Sequence, residues 1–300
     1  MVLLSTLIFA LAAPFKSTAH PLSFPYTPPL LTPRSPLGNG VPLRIMPLGA
    51  SITYGTASSD GNGYRSALRT RIISTLSNST GPAAGPTVWP GSVTGAAHHH
   101  NKVNKVLKAN QVNMVGSRRA GTMTDNDVEG WPGLRIDEVR DKARASLPRC
   151  KPNVVLVNAG TNDALQGHDV KSAGARMEGL LGLVWGQSPR AVVVLSTLLP
   201  NRDVGVERNV GLVNRQYREL VVRLREREGH KIVLAEMHGQ RGLEREELAD
   251  GTHPTDVGYR KMAEVWYAAL VEASALGWLQ PPETVDGEPE DGALRRLEIS

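Results

Sequence analysis

Asn153-Val154-Val155-Leu156-Val157-Asn158-Ala159-Gly160-Thr161-Asn162-Asp163 is a continuous apolar run that ends in a polar, glycine-containing loop. Four consecutive β-branched or leucine residues, bounded by Pro152 and Gly160, predict a short strand buried on both faces. A strand of that kind belongs in a parallel sheet with helices on each side. Similar runs occur at Leu43–Leu48, Val112–Val115, Ala191–Ser196 and Lys231–Ala235. Between and after them, helices are expected over Tyr64–Leu76, Leu134–Ala145, Ser172–Trp185, Val206–Arg227 and Asp256–Leu276. The alternation predicts the α/β class: a three-layer α/β/α sandwich around a five-stranded, mostly parallel sheet. In an open sheet of this type the ligand site lies at the carboxyl ends of the strands. Ser51, Gly116 and the Gly160–Asp163 loop each follow a strand directly, so they are expected along one sheet edge.

Three of these fragments carry chemistry. Leu43-Arg-Ile-Met-Pro-Leu-Gly-Ala-Ser51-Ile-Thr-Tyr-Gly55 places a serine at a strand end with a helix around it. That serine is either a helix cap or a nucleophile awaiting a base. Asp250-Gly-Thr-His253-Pro supplies a carboxylate three residues before an imidazole. At that offset the carboxylate can fix the tautomer and leave the second ring nitrogen for Ser51. Asn162 offers an amide donor for a developing oxyanion, as does the Ser51 backbone N–H. A turn role suits Asn162 equally well, and Asp163 is expected to support the loop. The spacing around Ser51 is not the Gly-x-Ser-x-Gly elbow of the α/β-hydrolases.

Taken in order, these blocks resemble those of the SGNH hydrolases of the GDSL esterase/lipase superfamily. The matching residues are Gly49-Ala-Ser51-Ile, Gly160-x-Asn162-Asp163 and Asp250-x-x-His253, and the likeness runs from about residue 43 to 275. The second block, Asp125-Asn-Asp-Val-Glu-Gly130-Trp-Pro-Gly133-Leu-Arg-Ile136, and the Ile-Met-Pro-Leu-Gly before the serine are similar to carbohydrate esterase family 3, whose members deacetylate xylan. The resemblance implies a flavodoxin-like fold and a catalytic Ser51, Asp250 and His253. It implies an oxyanion hole of Ser51 N–H, Gly133 N–H and the Asn162 side chain, with Gly130 as the alternative glycine. One departure stands out: the family usually carries Asp where this chain has Ala50. No cofactor or metal is implied.

The remaining features bound the setting. The chain has 300 residues, 40% of them hydrophobic, enough for one α/β domain over residues 42–278. Residues 1–19 are almost wholly apolar up to Ala13 and are expected to be a signal peptide, which places the protein outside the cell. Residues 20–41 read as a proline-rich leader and 279–300 as an acidic disordered tail. Asn78-Ser-Thr80 is a glycosylation sequon within a long insertion, residues 77–105. His98-His99-His100 in that insertion reads as a solvated run rather than a metal site. The single cysteine, Cys150, excludes an intrachain disulfide.

The net charge of +5 leaves a basic body that could favour acidic polymers or membrane surfaces. The densest basic stretch, Arg215 to Arg227, is interleaved with Glu219 and Glu226, so it reads as a solvated helix face. No nucleic-acid partner and no stable membrane insertion are expected, and the chain is read as a monomer. Trp131 and Tyr54 are candidate substrate contacts, with Trp131 either stacking on a sugar or serving as core or lid. Leu199 and Pro200 are placed at the pocket border. The leading functional expectation is a secreted serine esterase acting on O-acyl, chiefly O-acetyl, carbohydrate. The alternatives are a lipase or general short-chain carboxylesterase, and a non-catalytic carbohydrate-binding protein on the same fold.

Overall fold

Strand β1 (Leu43–Gly49) shows how the sheet is built, because all seven of its residues are buried. Side chains alternate across a strand. Leu43 and Ile45 therefore enter one core, while Met46 and Leu48 enter the other. The same division holds in β5 (Val154–Asn158) and β6 (Val192–Ser196): Val154, Leu156, Val192 and Val194 face one way, and Val155, Val157, Val193 and Leu195 the other. β7 (Ile232–Ala235) completes this side of the sheet. The computed structural model describes residues 36–74 and 110–285, all within one compact unit. The expected signal peptide, the Asn78 sequon, the histidine run and residues 286–300 of the expected acidic tail lie outside the described residues.

Five strands run parallel in the order β2 (Val112–Met114), β1, β5, β6, β7. On one face lie α2 (Arg65–Ile73) and α7 (Asp256–Ala275), whose Leu68, Tyr259, Met262 and Trp266 fill the first core. On the other lie α3 (Ile136–Cys150), α5 (Ala173–Gln187) and α6 (Val204–Glu226), with Val139, Leu180, Val213 and Tyr217 in the second. The result is the three-layer α/β/α arrangement with a mostly parallel sheet. Cys150, half-buried, closes α3. Among the described residues no helix is long and apolar enough to cross a membrane.

Two further strands raise the total to seven. β4 (Asp127–Gly130) pairs parallel with the last two residues of β1, and β3 (Arg118–Arg119) pairs antiparallel with β4. The sequence reading leaves this ribbon as loop because its segments are short and polar. β2 and β4 share one edge of β1: β2 spans Leu43–Ile45 and β4 spans Leu48–Gly49. Pro47 falls in the gap between them. Odd-numbered residues of β1 bond toward this edge, as Leu43 N–H to Gln111, Ile45 C=O to Val115 and Gly49 C=O to Trp131 show. The N–H that proline lacks is therefore the one with no neighbour to receive it.

The ordered fold extends beyond residues 42 and 278. Leu37, within a 3-10 turn (Leu37–Asn39), is buried, and the Asn110 amide bonds both its N–H and its C=O at 2.8 Å. Leu279 is also buried, and the carbonyls of Gln280 and Glu283 accept from Asn153 and Arg44.

Candidate active site

The turn after β1 is set by contact with both neighbouring strands. Gly49 pairs with Asn158 on one side and Gly130 on the other. A Cβ on Gly49 would lie 2.1 Å from the Asn158 carbonyl oxygen, so only glycine fits. Ala50 then leaves the strand in a non-helical conformation and caps α1 (Ser51–Tyr54), a single helical turn closed by Gly55 at φ 96°. Ala50 is buried and offers no side-chain acceptor to the first helical N–H groups, so the cap is backbone only.

Ser51 Oγ lies 2.8 Å from His253 Nε2, and His253 Nδ1 lies 2.7 Å from Asp250 Oδ2. With its proton on Nδ1, the ring donates to the carboxylate and accepts from the serine hydroxyl. The other carboxylate oxygen, Oδ1, accepts backbone N–H bonds from Thr252 at 3.0 Å and His253 at 2.8 Å. Partial burial disfavours the Asp250 charge, but these bonds to His253 and Thr252 outweigh it and hold the carboxyl at about 2. Ser51 is 9% exposed, whereas the Asp250 side chain is 54% exposed. The nucleophile end is thus enclosed and the carboxylate end faces solvent.

Asn162 lies in α4 (Thr161–Gln166), a short helix that the sequence reading leaves as loop. Its amide donates to the Leu134 carbonyl at 2.8 Å, which fixes the group while leaving a second N–H. Asp163 is fully buried; it accepts from Ile136 N–H at 3.1 Å and pairs with Arg176, so it ties α4 to α3 and α5. Trp131-Pro132-Gly133-Leu134 forms a turn closed by Leu134 N–H to Trp131 C=O at 3.2 Å. Gly133 takes φ 83°, as the third residue of a type II turn requires, and space around its Cα is open. Its N–H has no acceptor among the described residues. Gly130 instead lies inside β4, where an added Cβ would meet Tyr54 N at 2.7 Å.

Trp131 and Tyr54 are both half-buried, and their rings meet cations. Arg118 lies 4.7 Å from the Tyr54 ring and 4.6 Å from the Trp131 ring, and Lys142 also sits 4.6 Å from Trp131. The indole Nε1–H donates to the fully buried Glu129 at 2.7 Å. Leu199 and Pro200 are buried rather than at an open border, and Leu199 belongs to the core. Among the described residues no group of three or more His, Cys, Asp or Glu is placed to hold a metal ion.

A second polar network braces the Asp250–His253 loop. Asn201, 4% exposed, donates to Thr252 Oγ1 at 2.9 Å. Its backbone N–H donates to Glu207, which also meets His238 Nε2 at 2.7 Å. Glu207 loses some solvation, yet bonds from His238 and Asn201 hold its carboxyl below its ordinary value. Arg202 N–H donates to Gly251 C=O at 3.0 Å, and its guanidinium to the carbonyls of Arg245 and Leu248. Sequence reasoning missed these residues, since nothing local links position 201 to 252. The polar string Asn201-Arg-Asp203, with four residues between it and the buried run Ala191–Ser196, is the one available signal.

This arrangement equips a serine hydroxyl with a base, gives that base an oriented carboxylate, and places amide donors on the adjoining turns. It suits acyl transfer through a tetrahedral intermediate. Comparison with solved structures agrees on the fold. The family 3 carbohydrate esterase of Clostridium thermocellum superposes with a TM-score of 0.59 at 21% identity, over 78% of this chain and 98% of that one. A family 3 carbohydrate esterase from Talaromyces cellulolyticus gives 0.57 at 20% identity, over 78% and 98%. By sequence, a multidomain esterase of Ruminococcus flavefaciens is 27% identical over 260 residues, which is 83% of this chain; the chain spans only 31% of that protein. Residues 48–261 match the model of the GDSL-like Lipase/Acylhydrolase family, and the chain belongs to that family.

Proposed function

We propose that the protein is a secreted serine esterase that removes O-acyl groups, chiefly O-acetyl, from carbohydrate. The observation that carries the hydrolytic part is the unbroken relay from Ser51 Oγ through His253 to Asp250, at 2.8 and 2.7 Å. In this reading His253 takes the serine proton as Oγ attacks the ester carbonyl, and the imidazolium so formed faces the Asp250 carboxylate. The oxyanion is received by the N–H groups of Ser51 and Gly133 and the free amide N–H of Asn162. His253 then protonates the departing alcohol. Water, activated by the same ring, releases the acid and restores Ser51.

The carbohydrate part draws on the family 3 esterase structures that share the fold and on the Ruminococcus multidomain esterase. Secretion draws on the apolar segment before Ala13. The test is acetate release from acetylated xylan set beside hydrolysis of p-nitrophenyl esters of rising chain length. Acetate from the polymer, with rates falling beyond short acyl chains, supports the reading. Faster turnover of long chains with no acetate from xylan turns the assignment to lipase. No hydrolysis of any activated ester, together with no labelling of Ser51 by a fluorophosphonate, removes catalysis altogether.

A further inference from the structure

The contacts of Arg118 all lead to the candidate site. Tyr54 sits three residues after Ser51, on the same turn of α1. Gly130, whose carbonyl accepts from Arg118 Nη1 at 2.8 Å, pairs with Gly49 in the sheet. Trp131 opens the turn that presents Gly133, and its N–H donates to Gly49 C=O at 2.9 Å. Two aromatic rings and one carbonyl thus fix the guanidinium beside the segments that carry the nucleophile and the oxyanion glycine. A guanidinium has five N–H donors. Beyond the bond to Gly130, no other donor of Arg118 meets an acceptor among the described residues.

No carboxylate forms an ion pair with it among the described residues. Glu129 is buried, and its oxygens are occupied by Trp131 Nε1, Ser117 Oγ and Ser117 N–H. Asp127 pairs with Arg119, and Glu138 with Arg135. Lys142, exposed on α3 and set over Trp131, adds a second cation with no carboxylate partner among the described residues. Rings that lie against cations are also less available for stacking on a sugar than bare ones. The same cations make the rim attractive to an anion, and an oriented guanidinium matches a planar carboxylate.

We propose that Arg118 and Lys142 form an anion subsite beside Ser51, which favours ester substrates whose carbohydrate carries a uronic-acid carboxylate near the esterified sugar. The proposal rests on the esterase reading above and names a substrate class for it. It also gives a place to the excess of basic over acidic residues in the sequence.

The experiment compares acetylated xylan bearing glucuronate groups with the same polymer after reduction of its carboxyls to alcohols, matched for acetyl content. The wild-type chain is expected to prefer the acidic polymer in kcat/KM by about fivefold, mainly through KM, since a partly exposed charge pair is of modest strength. That preference should shrink in high salt. It should fall toward unity in Arg118→Gln and partway in Lys142→Gln. The exposed Lys142 position keeps the proposal testable if the Arg118 variant does not fold. Equal rates on both polymers by the wild type overturn it. So does an Arg118→Gln enzyme that slows equally on both polymers, since Arg118 then only braces the Gly133 turn. Absence of acetate from either polymer instead removes the carbohydrate reading itself, and this inference with it.

Discussion

The Ser51 turn and the Asp250–His253 loop meet across one hydrogen bond, yet they are held in different ways. The serine side is fixed by the backbone. Gly49 is locked between Asn158 and Gly130, and Ser51 follows in one enclosed helical turn. The base side is held largely by side chains, with two backbone bonds beside them. Asp250 binds the N–H groups of its own loop, Ala249 N–H meets the His253 carbonyl at 2.7 Å, and Asn201 and Arg202 hold the loop from α6's approach. Backbone-fixed geometry is expected to tolerate loss of the reacting group with no change in fold. Side-chain-fixed geometry is expected to lose rate by degrees as its polar contacts are removed.

The sharpest break in that comparison is Ser51→Ala. Its hydroxyl bonds only His253 among the described residues, so stability should change by no more than about 0.5 kcal/mol, while hydrolysis of p-nitrophenyl acetate falls by roughly 10⁵-fold or more. A variant that unfolds at lower denaturant would show that the serine side also depends on its side chain. Next is Asp250→Asn, which can keep the bonds to Thr252 and His253 N–H but cannot offset an imidazolium charge. A loss of roughly 10³-fold in kcat/KM is expected, somewhat below that of a buried triad carboxylate because Asp250 is open to water. A near-neutral effect would mean that solvent replaces this carboxylate.

The same carboxylate gives a signed pH expectation. Its folded-state value, about 2, lies below the ordinary 3.8. Its contribution to stability is therefore fully present above 3.8 and is lost as pH falls through about 2. The Asp250 carboxyl resonance should accordingly titrate near pH 2, and no loss of activity above pH 4 should trace to it. A midpoint near 4 would show that the loop bonds are not held in solution.

Much of this division is visible in the sequence, and the part that is not has a physical reason. Val154–Val157 and Val192–Leu195 are legible as strands because burial on both faces demands unbroken apolar runs. Ser51, Asn162, Asp250 and His253 are legible because each sits at the end of such a run or in a short, ordered motif. α4 and the β3–β4 ribbon are not, since segments of two to six mainly polar residues carry no periodicity. Pro47 argues locally against a central strand, and only the register of β2 and β4 shows why it is tolerated. Arg118 draws its contacts from three separate segments, so no local pattern announces it.

Asn162→Ala tests the donor at the boundary of the two halves. Loss of one oxyanion donor is expected to cost about 100-fold in kcat with little change in KM. Because its amide also holds the Leu134 carbonyl, stability should fall by about 1 kcal/mol. A loss in kcat that persists in Asn162→Asp, which lacks an amide donor but keeps the size, fits an oxyanion role. Full activity in Asn162→Asp would exclude it.

The smallest effect is the most specific to the base side. The Asn201–Thr252 bond, at 2.9 Å, touches no reacting atom, so its loss should act only through the position of His253. Asn201→Ala and Thr252→Val each remove it and should each lower kcat by roughly 3- to 10-fold, with KM nearly unchanged. If the bond is what matters, the double variant is no slower than the worse single one, a coupling of about 0.6–1.4 kcal/mol in the cycle. Independent, additive losses would mean that each residue supports the loop through other contacts. Asn201 has such contacts, since its Oδ1 accepts from Asp203 N–H at 2.9 Å. The Thr252 variant leaves that bond intact, and so separates bracing of the catalytic loop from capping at the start of α6.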